Sequence, residues 1–294
     1  MAKVKTIFVT FGDGSTNFIY ASLRLAEQAQ KLKIFEQVVC LNSVELSTLI
    51  PEYRDFISKA ANDSERLFYL RYAKAFAIKS VLVGNHGECN QVIYLDAGCE
   101  IVNNQIARIR LRKVLKNSFR YTLGMAQQVP YIEENFTKSA TLVALNASAS
   151  MRKSLQIQDT VVIINQSTES MDIINEWISL SDPALNLWQD PLMPERNLIA
   201  HRHDQSIFSI LWKRNRGAIG NFYWNTHRGV NPLFDALTCV YAIQAIRNRT
   251  GLSVISKFWS TSPIALVIGL VFLPISRIRR IYLNHRIIHR IEKV

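Results

Sequence analysis

The chain has 294 residues, 48% of them hydrophobic, which suits one large or two small domains with a real core. Its formal net charge of +12 points to anionic partners: nucleotide phosphates, acidic lipid headgroups or nucleic acid. Cys40, Cys89, Cys99 and Cys239 form no CxxC pair, which argues against a zinc or dithiol redox site and fits a reducing cytosol.

No apolar signal-peptide core precedes the first strand pattern, so a cytoplasmic chain is expected. Thr6–Phe11 reads as a buried strand closed by Gly12-Asp13-Gly14-Ser15, a turn without GxGxxG spacing or a Walker lysine. A helix is predicted over Phe18–Lys33, with Leu23, Leu25, Ala26 and Ala29 inward. A second strand follows over Phe35–Leu41, and Asn42, Ser43 and Ser47 lead into a short helix. Strand–helix–strand at this spacing predicts a parallel sheet with right-handed crossovers. Arg66–Val83 reads as one long helix with Leu67, Leu70, Tyr72, Ala73, Phe76, Ala77 and Val81 inward, carrying Arg71, Lys74 and Lys79.

The stretch Val92–Val102 organises the rest. Val92, Ile93, Tyr94 and Leu95 read as a strand buried on both faces, running directly into Asp96-Ala97-Gly98-Cys99-Glu100. An aspartate at a strand's carboxyl end sits where open α/β sheets bind ligands, and a carboxylate there suits a divalent cation holding a diphosphate. The plainer alternative is that Asp96 caps the next turn. The basic run Arg108, Arg110, Arg112, Lys113, Lys116 and Arg120 has no recognisable nucleic-acid module around it, and nucleic acid is not expected as a partner. Thr141–Asn146 and Val161–Asn165 read as strands, and Ser170–Leu180 as a helix with Ile173, Ile174 and Trp177 inward.

A polar, proline-bearing loop over Ser181–Glu195 leads to His201-Arg202-His203-Asp204-Gln205, a dense polar cluster opening the apolar helix Ile207–Trp212. Asp204 as a cap explains one of these residues; a helix N-terminus favouring an anionic ligand engages more of them. An aromatic strand over Phe222–Gly229 carries His227, a candidate metal ligand, and a helix is predicted over Phe234–Arg247 with Ile243 inward.

The last segment differs in kind. Phe258–Ser276 is 19 residues without a charge, with Pro263 and Pro274 bracketing the apolar core Ile264–Leu273. It is short for a span, which needs about 20 apolar residues. Residues 277–294 then carry six basic side chains against Glu292, a net of +5, interleaved with isoleucines. That pattern suits a helix lying in an anionic membrane surface, the alternative being a core helix with a solvated basic end. The expected organisation is a catalytic domain over 1–250 and a membrane-associating extension over 251–294, peripheral on the inner face of the membrane.

Arg71-Tyr72-Ala73-Lys74 followed by Ile93-Tyr94-Leu95-Asp96-Ala97-Gly98 resembles the glycogenin-like and lipooligosaccharide-galactosyltransferase group, nucleotide-sugar glycosyltransferases of the GT-A fold. Asp204-Gln205 resembles that group's Asp-Gln motif, and His227 with Gly229 loosely resembles its late histidine–glycine metal motif. Asp-Ala-Gly-Cys and Arg-His-Asp-Gln also resemble related bacterial and viral sugar transferases. The likeness spans roughly residues 5–230. It implies a single Rossmann-type, mostly parallel sheet flanked by helices, and transfer from a nucleotide-diphosphate sugar to a glycan or lipid-linked acceptor in cell-surface polysaccharide synthesis, with configuration retained. Arg71, Lys74, Asp96 and Gly98 are then donor-binding. Asp204 and Gln205 act at the donor sugar, and His203 is a candidate base or acceptor contact. Asp96, Glu100 and His227 are candidate ligands for manganese or magnesium. The motif's second aspartate is Gly98 here, and Glu100 replaces it only if the strand end bends. A non-catalytic nucleotide-sugar-binding relative and a basic nucleic-acid-binding protein are the competing readings.

Overall fold

The computed structural model describes residues 4–220, 222–225 and 243–245. In chain order the elements are β1 (Thr6–Phe11), α1 (Thr16–Leu32), β2 (Gln37–Leu41), α2 (Ser43–Leu49), α3 (Pro51–Ser58), α4 (Asp63–Tyr69), a 3-10 turn (Leu70–Tyr72) and α5 (Ala73–Leu82). There follow β3 (Gln91–Leu95), β4 (Glu100–Ile101), α6 (Gln105–Ser118), β5 (Gly124–Ile132), α7 (Glu133–Phe136), α8 (Ser139–Ala144), α9 (Ala149–Arg152) and β6 (Leu155–Asn165). The remainder is α10 (Thr168–Leu180), a 3-10 turn (Pro183–Leu185), α11 (Asp204–Arg214), β7 (Ala218–Ile219), β8 (Trp224–Asn225) and β9 (Ile243–Ala245).

Six strands form one sheet in the order β2-β1-β3-β6-β5-β7. β1 pairs in parallel with β2 and β3, and β5 with β7, while β6 runs antiparallel to both β3 and β5. Five strands therefore share one direction, the mostly parallel α/β layout expected from the sequence. The alternation along β1 sets the layers: Ile7 and Val9 face one core, with Tyr72, Phe76, Trp177 and Phe208, whereas Phe8 faces the other, with Leu25, Ala107 and Leu111. Full burial of a side chain such as Phe8 contributes about 2 kcal/mol. Helices thus cover both faces, which is why every residue of β3 is buried, with Gln91 hydrogen-bonded at its start and Val92, Ile93 and Leu95 apolar. A smaller sheet, β4-β9-β8, joins the second layer through Ile243 and Ala245.

Local chemistry fixes the helix starts. Ser15, Asn62, Asn104 and Ser167 each cap a helix by accepting a backbone N–H, and Asn42 with Glu45 forms a reciprocal capping box on α2. Gly12 is required at the end of β1, because a Cβ there would lie 2.2 Å from Ser22 Oγ and 2.6 Å from the Phe18 carbonyl oxygen.

Several expectations are corrected. Arg66–Val83 is not one helix: the 3-10 turn at Leu70–Tyr72 breaks it, and Leu67 is exposed, as is Leu23 on α1. Thr141–Asn146, expected as a strand, lies mainly in α8. Leu142 and Leu145 are buried at helical spacing, whereas β-branched Val143 points to solvent. Ile243–Ala245, expected within a helix, pair as a strand against β4. β5 carries buried Gln127 within its run, so it lacks the apolar signal of a strand. The predicted elements over 226–242 and the segment 251–294 lie outside the described residues. Among the described residues, no helix is long and apolar enough to cross a membrane.

Candidate active site

Three chain segments meet at the carboxyl edge of β3. Asp96 follows β3 directly, its N–H donating to the Thr160 carbonyl (2.9 Å), and Cys99 N–H closes the turn onto the Asp96 carbonyl (2.9 Å). Gly98 lies within that turn. Because β6 is antiparallel and pairs Val161 with Leu95, its first half runs past the end of β3 and carries Asp159 to the same edge. α11 packs on this half of β6, where Ser209 Oγ accepts the Ile157 N–H (2.8 Å), and its first residue is Asp204. From the layer beneath, Lys74 enters from the first turn of α5.

The Lys74 ammonium lies 2.9 Å from Asp204 Oδ2, 3.0 Å from Asp159 Oδ2 and 3.4 Å from Asp96 Oδ1. Asp96 also accepts the Tyr94 hydroxyl (3.0 Å), and its side chain remains 34% exposed against 4% for Asp159, so Asp96 is the cluster's contact with solvent. Burial alone would pull Lys74 down; Asp159, Asp204 and Asp96 override it and hold the ammonium well above its ordinary value. Burial, with Asp204 beside it, pushes Asp159 well above its ordinary value, with Lys74 opposing. Burial also works against Asp204, but Lys74 and the hydrogen bond from Asp159 hold it below its ordinary value. Two adjacent carboxyl groups are thereby pushed in opposite directions. Burial raises Asp96, with Lys74 opposing.

The neighbours of Asp204 are held firmly. Gln205 Nε2 donates to Gln156 Oε1 (2.7 Å), whose own amide nitrogen donates to Glu133 Oε1 (3.0 Å) and Thr137 Oγ1 (3.0 Å). Glu133 is in turn paired with Lys213 (2.6 Å). His203 has φ 50° and ψ −120°, a backbone conformation that favours glycine. Its Nδ1 lies 2.8 Å from the Trp188 carbonyl, which only accepts, so Nδ1 carries a proton and Nε2 is the nitrogen left to exchange one. Phe68 packs edge-on to His203 and stacks on Trp188 at 4.5 Å, and the exposed Arg71 guanidinium lies 4.5 Å from the Phe68 centroid. His201 is buried: Nδ1 accepts the Lys138 N–H (3.3 Å) and Nε2 faces the Leu187 carbonyl (3.0 Å). Burial pulls its pKa down to about 4.

The structure thus gathers Lys74, Asp96 and Asp204 as direct partners, with His203 and Gln205 on either side of Asp204 and Arg71 linked to His203 through Phe68. Asp159 and Trp188 were not singled out in the sequence. The signal for Asp159 is an acid just before the apolar run Val161–Ile164, in a strand whose start is masked by Gln156 and Gln158. Glu100 is fully buried in β4, where its carboxylate opposes the downward pull of burial on Arg24. His227 lies outside the described residues. The described residues do not fit a divalent metal. Lys74 Nζ fills the space its three aspartates enclose, and no three His, Cys, Asp or Glu side chains among the described residues are arranged to hold a metal ion.

No protein-family profile and no curated protein matches the chain. Solved structures similar in fold are glycosyltransferases. They include mouse xyloside xylosyltransferase 1 (12% identity, TM-score 0.45, covering 85% of this chain and 99% of that one). A glycosyltransferase involved in glycosylation of the major capsid of PBCV-1 aligns at 13% identity and TM-score 0.47, covering 81% and 92%. Glycosyltransferase GlyE of Streptococcus pneumoniae TIGR4 aligns at 16% identity and TM-score 0.39, covering 93% of this chain and 64% of that one.

Proposed function

We propose that the protein is a glycosyltransferase that uses a nucleotide-diphosphate sugar as donor. The observation that carries this reading is the Lys74–Asp96–Asp159–Asp204 cluster at the carboxyl edge of β3, the ligand-binding edge of an open α/β sheet. One ammonium faces three aspartates there, in a low-dielectric site where acidic groups outnumber the cation. Such a site stabilises the positive charge that develops at the sugar's anomeric carbon as its bond to the diphosphate breaks. Arg71 supplies an exposed cation for the departing diphosphate. An acceptor hydroxyl forms the new bond to the anomeric carbon, and its proton passes to His203 Nε2 or to a diphosphate oxygen. No step in this scheme requires a metal. The resemblance in the sequence favours retention, a glycan or lipid-linked acceptor and a role in cell-surface polysaccharide assembly. It is compatible with residues 251–294 holding the enzyme on the inner face of a membrane.

The second reading is a nucleotide-sugar-binding relative without turnover. Gly98 in place of a second aspartate favours it. A thermal-shift panel of nucleotide sugars, with and without manganese, tests donor binding: one donor raises the melting temperature if the site is a donor site, and none does if the proposal is wrong. Release of nucleoside diphosphate separates the enzyme from the binding protein.

A further inference from the structure

The chain's positive charge is concentrated in two stretches. Residues 101–132 contain six basic side chains and no acidic one, and residues 277–294 carry a net of +5, so these two segments account for all but one of the net +12. The first stretch is built around α6. Ala107, Leu111, Leu115 and Ser118 turn inward. Ile109, Arg112, Lys113 and Lys116 follow one another at helical spacing on the outer side, continued by Phe119 and Arg120. Ile109 is 56% exposed and Phe119 45%. Among the described residues, Arg112, Lys113, Lys116 and Arg120 form no ion pair with an acidic side chain.

We infer that this face of α6 is a docking surface for an anionic lipid bilayer. The charge calls for an anionic partner, and the interleaved Ile109 and Phe119 call for one with an apolar layer beneath its charged surface, which a nucleic acid backbone lacks. The segment 277–294 is also basic, and its charge suits the same anionic surface.

The test uses the full chain with vesicles of equimolar phosphatidylglycerol and phosphatidylcholine, and with phosphatidylcholine alone as control. Flotation is expected with the anionic vesicles and not with the neutral ones. Replacing Arg112, Lys113, Lys116 and Arg120 by glutamine should weaken partitioning at least ~100-fold at an unchanged melting temperature, since each basic residue near such a surface contributes about 5-fold. In the unaltered protein, amine labelling of Lys113 and Lys116 should slow on anionic vesicles, while Lys59, on the opposite layer, labels as before. This second readout needs no variant to fold. Undiminished binding of the glutamine variant, unchanged labelling of Lys113 and Lys116 on vesicles, protection of both lysines before any vesicle is added, or tight binding of an RNA oligonucleotide with none to vesicles would each overturn the inference.

Discussion

Lys74 Nζ lies 2.9 Å from Asp204 Oδ2, so a helix that precedes the central strand is locked to a helix start that arrives 130 residues later. Asp159, 3.0 Å from the same nitrogen, completes an asymmetric pair in which Asp159 is pushed to hold its proton and Asp204 to release it.

That asymmetry predicts unequal costs for two similar substitutions. Asparagine at position 159 still donates a hydrogen bond to Asp204, so Asp159→Asn should change stability by no more than ~1 kcal/mol. Asp204→Asn removes a carboxylate that the buried ammonium is paired with, and should cost about 3 kcal/mol. Denaturant unfolding of both variants at pH 7 measures the difference, and equal losses would show that the proton is not held on Asp159.

His203 occupies a glycine-like backbone region. Both His203→Ala and His203→Gly lose the imidazole and its bond to the Trp188 carbonyl, but only glycine relieves the backbone. His203→Gly should therefore be more stable than His203→Ala by ~1 kcal/mol. If the ring accepts the acceptor's proton, both should lose turnover alike, about 100-fold or more. Thermal melts beside kinetic assays of the pair separate strain from chemistry.

His201 is held neutral, with a pKa lowered from 6.5 to about 4 in the folded state. A lowered histidine contributes stability that is fully present above about pH 6.5 and is lost as pH falls through that interval toward 4. The loss amounts to about 3 kcal/mol if the whole shift is expressed. Unfolding midpoints measured between pH 7 and 4 should fall more steeply for the native protein than for His201→Gln. Parallel curves would remove His201 from the account.

The sequence revealed the sheet where hydrophobic period and burial coincide. β1, β2 and β3 carry apolar runs, and Asn42 caps a helix where capping chemistry predicts. It was less informative where tertiary contacts override local preference. Gln127 and Gln156 are buried within strands because each finds hydrogen-bond partners across the fold, Gln127 from Phe222 and Tyr223 and Gln156 from Glu133 and Gln205. β-branched Thr141 sits in a helix and donates its hydroxyl to the Leu187 carbonyl. In the site, Asp96 and Asp204 stood out because each follows or opens an apolar element. Asp159 did not, because it sits inside a strand that reaches the site only by running antiparallel past the end of β3. No sequence spacing could have revealed that Lys74 stands among the carboxylates.

The central claim is that the cluster at the end of β3 serves a nucleotide sugar, and Asp96, its solvent-facing member, is the residue to test. The direct measurement is the rate of nucleoside diphosphate release from the donor identified by thermal shift, comparing the native chain with Asp96→Asn. The account predicts turnover by the native protein and at least a ~100-fold loss in a folded Asp96→Asn variant, the scale of losing one transition-state charge contact. A folded Asp96→Asn protein that releases nucleoside diphosphate at the native rate, or a native protein that releases none from any nucleotide sugar, would contradict it.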